Sequence, residues 1–247
     1  GLGSVVTSSD LQPPDLDSPP SRAPREFSDE AARVALAALG GPYLPWGSGA
    51  MRPAGLVAVC NDIVLHGRRR IVELGSGVST VLLARLLTQR PPPGGFRMAA
   101  VEHDRNWARW VTDQLDRENI GQGIVVVHAP LITHAERDVP WYDDAAVAEG
   151  LDAALGGDLI DLLLVDGPPA YAAGQGLARY PALPVLHGRL APGATVMLDD
   201  VERPGEQEVL RRWERDTGLE FHRRAEHAGV AVARIAGDSP LAGPHHG

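Results

Sequence analysis

Residues Ile71 to Thr80, IVELGSGVST, constrain the fold of this chain more than any other stretch. Ile71, Val72 and Leu74 read as a buried strand that breaks at Gly75-Ser76-Gly77. An amphipathic helix then begins near Ser79-Thr80 and runs through VLLARLLTQR. A short apolar run, a glycine turn and a switch to helical periodicity are the first strand, loop and helix of a nucleotide-binding α/β domain. Gly75 and Gly77, lacking a Cβ, let the chain turn sharply and bring its amides to a ligand at the helix N-terminus. Glu73 would repel a diphosphate, so the ligand expected here is cationic.

A second strand, Arg97 to Val101, ends in Glu102-His103-Asp104. Glu102 lies 25 residues beyond Gly77, where a doubly wound domain places the acid that accepts hydrogen bonds from ribose hydroxyls. A ribose acid together with a site suited to cations points to S-adenosylmethionine, whose amino group and sulfonium are both positive. Trp107, Trp110, Val111 and Leu115 recur at helical spacing in a helix from Asn106 to Glu118 and read as core. The third strand, Gly123 to Val127, is followed by His128-Ala129-Pro130-Leu131, the position that faces adenine in this layout. His128 reads equally as a ligand or as a capping histidine. Ile132 to Gly157 is longer than an ordinary connection: a helix is expected from Ala145 to Leu155, and Trp141 and Tyr142 arrive in a proline-led turn. An insertion at the ligand edge of the sheet reads as functional.

The fourth strand, Leu159 to Val165, is almost wholly apolar, as a central parallel strand should be, and it ends at Asp166-Gly167-Pro168-Pro169. The fifth, Ala194 to Leu198, ends at Asp199-Asp200. Three carboxylates at the C-terminal ends of neighbouring strands repel one another unless a cation or hydrogen bonds hold them, and an oxygen-only set with open positions suits Mg2+. The competing reading has Asp199 or Asp200 capping the turn into Val201 to Gly205. Between the strands, a helix from Ala178 to Leu190, interrupted by Pro181 and Pro184, starts with Arg179 and Tyr180 at the same edge. A helix from Glu206 to Thr217 and a strand pair, Glu220 to Arg224 and Val230 to Ile235, complete the domain.

Ahead of the first strand, residues 1–26 are rich in proline and serine and are expected to be a flexible leader, as is a tail at 237–247. Residues 27–67 hold a helix from Ser28 to Leu39, the loop PYLPWGSGAMRP and a helix from Ala54 to His66, and 68–236 form the catalytic domain. Tyr43, Trp46 and Met51 in that loop either line a substrate or cofactor mouth or staple the N-terminal helix to the domain. A single cysteine, Cys60, excludes a disulfide framework and a thiolate metal cluster, and it reads as a core thiol. A formal charge of −9 with dispersed acids argues against a nucleic-acid partner. No run approaches the ~18 apolar residues of a membrane span, and no signal peptide is recognisable, so a cytoplasmic protein is expected.

The ordered motifs ELGSGVST, VEHD, HAPL, LLLVDGPP and PGATVMLDD, closed by a strand pair, resemble those of the class I S-adenosylmethionine-dependent methyltransferases. Within that superfamily the chain looks most similar to small O-methyltransferases of the catechol and caffeoyl-CoA type and to actinobacterial relatives acting on natural products. The resemblance spans about Pro42 to Ile235. It implies a Rossmann-like, doubly wound seven-stranded sheet, mostly parallel with an antiparallel last strand, preceded by N-terminal helices. Glu73, Gly75, Ser76, Gly77, Ser79 and Thr80 then surround the methionine part of S-adenosylmethionine. Glu102 and His103 serve the ribose, Ala129 to Leu131 border the adenine, and Asp166, Asp199 and Asp200 match the Mg2+ ligands. Trp46 and Met51 fall over the substrate, and Trp141, Tyr142 and Arg179 join them in setting acceptor choice.

One departure bears on chemistry. Catechol-type enzymes carry a lysine soon after the first metal aspartate, whereas Gly167-Pro168-Pro169 follow here and all 23 basic residues are arginine. The base is therefore expected to be Asp166 or His134. The expected reaction is in-line methyl transfer to one of two vicinal oxygens on a small molecule. A metal-independent N- or O-methyltransferase shares every cofactor motif. A dinucleotide oxidoreductase is disfavoured because Thr80 stands at the third glycine position of G-x-G-x-x-G, and a protein that merely senses S-adenosylmethionine would need no acid cluster. A homodimer through the leader and first helix is a further expectation.

Overall fold

The computed structural model describes residues 29–134, 138–223 and 229–237. The leader, the Ser28 cap and the tail beyond Gly237 lie outside them. Helix α1 (Asp29–Ala37) carries Asp29 and Glu30 in its first turn, where the helix dipole favours acids. Asp29 also reaches the next helix, α2 (Pro53–His66): its Oδ1 accepts from the Ala54 amide at 3.2 Å, and its Oδ2 pairs with Arg52 at 3.1 Å. Pro53 opens α2 and Gly67, at φ +59°, closes it.

From there strands and helices alternate: β1 (Arg70–Leu74), α3 (Val78–Gln89), β2 (Arg97–Glu102), α4 (Arg105–Glu118) and β3 (Ile124–His128). A hairpin follows, β4 (Leu131–Thr133) and β5 (Pro140–Tyr142), then α5 (Asp144–Leu155) and β6 (Ile160–Val165). The chain ends through α6 (Ala182–Leu186), β7 (Leu190–Leu198), α7 (Pro204–Thr217), β8 (His222–Arg223) and β9 (Ala231–Arg234). The main sheet has the order β3-β2-β1-β6-β7-β9-β8. All pairs are parallel up to β7, and β9 runs antiparallel between β7 and β8. The expected seven-stranded, doubly wound sheet with its antiparallel final strand is the observed one.

Alternation along the strands divides the core into two layers. Val72, Leu74, Val101, Leu163 and Val165 face α5, α6 and α7, burying Leu151, Leu183, Leu210 and Trp213. Ile71, Met98, Ala100, Leu162 and Leu164 face α2, α3 and α4, with Leu56, Leu83 and Leu115. Cys60 lies in this second layer, where burial pushes its thiol up to about 12. It is a core thiol. Among the described residues no helix is long and apolar enough to cross a membrane.

Three expectations change. The helix read over Ala178 to Leu190 shrinks to five residues and one 3-10 turn, because Pro181 starts a helix rather than continuing one. Strand β7 begins four residues early, at Leu190, with a register irregularity opposite Ile160 and Leu162 that absorbs Ala191-Pro192-Gly193. Trp141 and Tyr142 sit in a strand rather than a turn, since Leu131, Ile132 and Thr133 pair with them and Pro140. The first residue of this hairpin's second strand is the proline, where a missing N–H is tolerated.

Candidate active site

Parallel register builds the site. Leu74 stands beside Val101 and Val165, and Val165 beside Leu198, so the four residues form one row across the sheet. The next residues, Gly75, Glu102, Asp166 and Asp199, therefore emerge side by side at the C-terminal edge. Ladder bonds continue into that row, from Gly75 N to Val101 O, Asp166 N to Leu74 O and Asp199 N to Val165 O, at 2.9–3.0 Å. Ligands of open α/β sheets bind at this edge. A cavity of about 480 Å3 opens there, and Gly75, Ser79, Glu102, Tyr142, Asp166 and Asp200 are among its walls.

At the glycine turn, Gly75 takes φ +91°, and a Cβ there would meet the Asp166 and Gly167 backbone at 2.9 Å. Only glycine allows the β1 and β6 loops to approach so closely. Glu73 does not reach the cavity. It is fully buried, and its two oxygens accept hydrogen bonds from the Ser79 hydroxyl and, at 2.6 Å, from Thr80 Oγ1. Thr80 Oγ1 also accepts from Gly77 N at 2.9 Å. Glu73 and Thr80, expected around the cofactor, instead brace the turn, while Ser76, Gly77 and Ser79 form wall.

Burial lifts the Glu73 carboxyl from 4.5 to about 7, against the opposing effect of the two hydroxyls. An acid whose folded pKa is raised destabilises the native state as pH rises through 4.5 towards 7, since the native form holds the extra proton. Glu73→Gln is therefore expected to be more stable than the parent above pH 7, by at most about 3 kcal/mol, with the gap closing near pH 4.5. Urea unfolding at pH 5 and pH 8 measures it, and a variant less stable than the parent at pH 8 would contradict it.

Glu102 stands at the cavity with both oxygens in use. Oε2 accepts from Ser76 Oγ at 3.1 Å, and Oε1 accepts from Asp104 N at 2.8 Å and pairs with His103 Nδ1 at 2.9 Å. That pairing raises the His103 pKa. Asp104 caps α4 by accepting from the Asn106 and Trp107 amides, which aims the first turn of α4 at the site. Trp107, read from the sequence as core, is wall: it is 36% exposed, donates from Nε1 to Ser76 O at 2.9 Å and stacks on Trp110 at 4.6 Å. Helical spacing could not separate its two faces.

At the far end, oxygens of Asp166, Asp199 and Asp200 lie within 4.8 Å of one another. Arg179, 4% exposed, reaches into them: Nη1 is 3.1 Å from Asp200 Oδ2, and Nη2 is 2.8 Å from Asp166 O and 3.5 Å from its Oδ1. Its Nε donates to Pro168 O at 3.2 Å. Arg203 adds a second guanidinium at 3.0 Å from Asp200 Oδ2, and Glu206 stands within 4 Å of both arginines. The sequence reading passed over Arg203 and Glu206, although their i+3 and i+6 spacing from Asp200 was visible. Asp200 holds φ +61°, a conformation few residues other than glycine adopt. Burial first, and mutual repulsion second, push the Asp166 carboxyl well above its usual range and Asp199 up to about 6.

Several expected site residues are elsewhere. His134 pairs with Asp144 at 3.7 Å and Ala129 is buried under the β2 end, donating to Glu102 O at 2.8 Å. Leu131 is carried off by the hairpin, whose register brings Tyr142 to the wall in its place. Trp141 is fully buried in the core, its Nε1 donating to Asp144 Oδ1 at 2.9 Å. Trp46 packs on the α2–α3 layer while Pro45, Gly47 and Met51 beside it line the cavity. None of His134, Ala129, Leu131, Trp141 and Trp46 forms part of the wall.

The strand order, the glycine turn after β1 and the acids ending β2, β6 and β7 define the class I S-adenosylmethionine-dependent methyltransferase fold. The chain belongs to the methyltransferase-domain family, whose model matches residues 72–201. No curated protein sequence matches it. Among solved structures it is similar to the O-methyltransferase TomG of Streptomyces achromogenes, involved in tomaymycin synthesis and solved with SAM. The identity is 20% over 85% of this chain and 89% of that one, with a TM-score of 0.53. A candidate caffeoyl-CoA O-methyltransferase from Staphylococcus aureus is 12% identical over 85% and 92%, at 0.54. An O-methyltransferase of Bacillus cereus in complex with SAH is 17% identical over 87% and 93%, at 0.50. At these identities the likeness is one of fold.

Proposed function

We propose that this protein is an S-adenosylmethionine-dependent O-methyltransferase for a small molecule with two neighbouring oxygens, of natural-product type, with Mg2+ held by Asp166, Asp199 and Asp200. One observation carries the reading: a single cavity is lined together by the glycine turn, Glu102, Asp166 and Asp200. A nucleoside-bearing donor beside Glu102 and an oxygen acceptor beside the acid cluster share that one space. The net charge of −9 favours a small-molecule partner over nucleic acid or an anionic membrane surface.

The residues fit both groups. Gly75 lets the β1 and β6 loops come into contact at the cavity wall, which a Cβ would forbid, and Glu102 stands at the wall where a ribose is recognised. Four acids, Asp166, Asp199, Asp200 and Glu206, face two arginines, and burial first, with this excess of acids second, raises the Asp166 and Asp199 pKa values. A divalent cation in an all-oxygen set removes that excess in place of protons. When bound, the cofactor supplies a methyl group on a sulfonium and the metal a positive charge for the acceptor oxygen. Transfer breaks one carbon–sulfur bond, forms one carbon–oxygen bond and frees the acceptor's proton. Asp166 takes that proton: it is wall, lysine is absent, His134 is not at the cavity, and the wall histidine, His103, is engaged with Glu102. Arg179, buried beside it, stabilises the developing oxyanion, and the walls hold the two reactants in line.

A second reading has support from Arg179 itself. Its guanidinium already offsets part of the cluster's negative charge, so methyl transfer without metal is consistent with the same site. Titration calorimetry of S-adenosylmethionine and S-adenosylhomocysteine, with and without Mg2+ and catechol, separates the cases. Micromolar cofactor binding, with catechol binding only alongside metal, is expected. Catechol binding that ignores Mg2+ would leave the metal-free reading, and absence of cofactor binding would overturn both.

A further inference from the structure

Among the described residues, the Tyr142 hydroxyl has nothing to bond. The residue is fully buried, yet its Oη has no hydrogen-bond partner among the described residues. The other buried side-chain oxygen in that condition, Glu206 Oε1, at least has two arginines within 4 Å. A buried phenol left unsatisfied is destabilising, and native folds tolerate it where a ligand completes the bond. Tyr142 also lines the cavity.

Its position identifies the ligand atom. A Cβ on Gly167 would collide with Oη, and Gly167 in turn abuts Gly75, so the hydroxyl stands where the two loops of the cofactor cleft meet. Its neighbours in the hairpin are themselves anchored. Trp141 packs edge-on against its ring at 5.1 Å and is itself tied to Asp144, while Asp143 caps α5 through the Ala146 amide. The charged groups facing the hydroxyl are Glu102, Arg179, Asp166 and Glu73, three acids and one base, with Glu102 the strongest. Glu102, the acid placed at the ribose, acts on the hydroxyl most strongly, so the acceptor atom beside it belongs to the nucleoside. Nucleoside oxygens and purine ring nitrogens are neutral acceptors; the carboxylate of the methionine half is not.

We infer that the Tyr142 hydroxyl donates a hydrogen bond to the nucleoside half of the cofactor. The assignment rests on the S-adenosylmethionine reading above and replaces the acceptor-side role expected from the sequence. Tyr142 is then a cofactor-binding residue that the fold leaves one bond short until the nucleoside arrives.

Tyr142→Phe removes Oη alone, and two probes locate the contact: S-adenosylhomocysteine, and 5′-methylthioadenosine, which keeps the nucleoside but lacks the amino-acid end. Calorimetry is expected to show both bound about tenfold more weakly by the variant than by the parent. The ligand-free variant is expected to melt at the parent's temperature or about 2 °C higher, since the unsatisfied hydroxyl is gone. Unchanged affinity for both probes would overturn the inference while leaving the functional reading intact. Loss confined to S-adenosylhomocysteine would move the contact to the amino-acid half and also overturn it. A lower melting temperature would mean that the hydroxyl has a structural role, with the same consequence. Absence of S-adenosylhomocysteine binding by the parent would overturn the functional reading and the inference with it.

Discussion

Arg68→Met is expected to lower the unfolding free energy by about 3 kcal/mol, the lower end of the range for breaking a buried ion pair. Arg68 and Asp62 are both buried, and Arg68 Nε meets Asp62 Oδ2 at 2.8 Å. The other guanidinium nitrogens donate to Thr195 Oγ1 at 2.6 Å and Gly193 O at 3.0 Å, and Thr195 Oγ1 donates to Asp62 Oδ1 at 3.1 Å. The network ties the end of α2 to β7, the strand whose other end carries Asp199. Removing the arginine strands a buried carboxylate and two acceptors. His66 at 3.6 Å and Arg234 at 4.0 Å offer partial compensation, which is why the lower end applies. Urea unfolding measures the loss, and a change below about 1 kcal/mol would mean these neighbours fully replace Arg68. Removing both charges with Asp62→Leu and Arg68→Met is expected to recover much of the difference, because no unpaired charge then remains.

The second large effect is catalytic. Asp166→Asn is expected to slow methyl transfer about 1000-fold, the scale of losing a positioned base or a metal ligand. Folding should survive, because Arg179 Nη2 holds the Asp166 backbone oxygen at 2.8 Å and the Asp166 amide still bonds to Leu74 O. S-adenosylhomocysteine affinity should change by only a few fold. Turnover is read as S-adenosylhomocysteine release over a panel of catechols and vicinal diols; wild-type-like turnover by the variant would remove Asp166 from the mechanism. The same site predicts a pH limb. Burial and mutual repulsion raise Asp166 and lift Asp199 to about 6, so both carboxyls gain protons above the usual carboxylate range, Asp199 near 6, and activity falls as pH falls. Added Mg2+ is expected to shift that limb to lower pH, since a metal competes with protons for the carboxylates. A limb indifferent to Mg2+ would favour the metal-free reading.

Much of this architecture was legible in the chain. IVELGSGVST, the acid at Glu102 and the apolar run ending in Asp166 are local patterns whose meaning depends on backbone geometry and strand burial. Those determine the α/β class, the sheet edge that carries the site and the acids along it. Contacts between residues distant in sequence were not legible. Glu73 looked like a ligand-facing acid, but whether its carboxylate turns to the cavity or to Ser79 and Thr80 depends on how the helix after the turn folds back. Trp107 and Trp46 exchanged roles for a similar reason: periodicity marks an aromatic as half-buried and cannot say which half faces a ligand.

The row of Gly75, Glu102, Asp166 and Asp199 was therefore written in the sequence, because parallel strands of similar length in register must end together. Tertiary structure alone decided what fills the space around that row. The β4–β5 hairpin exchanged Leu131 for Tyr142, and the turn leading into the helix that Pro181 caps carries Arg179, the buried cation of the acid cluster. Such choices are made by long-range steric fit and charge balance, which act only once the sheet has brought distant segments together.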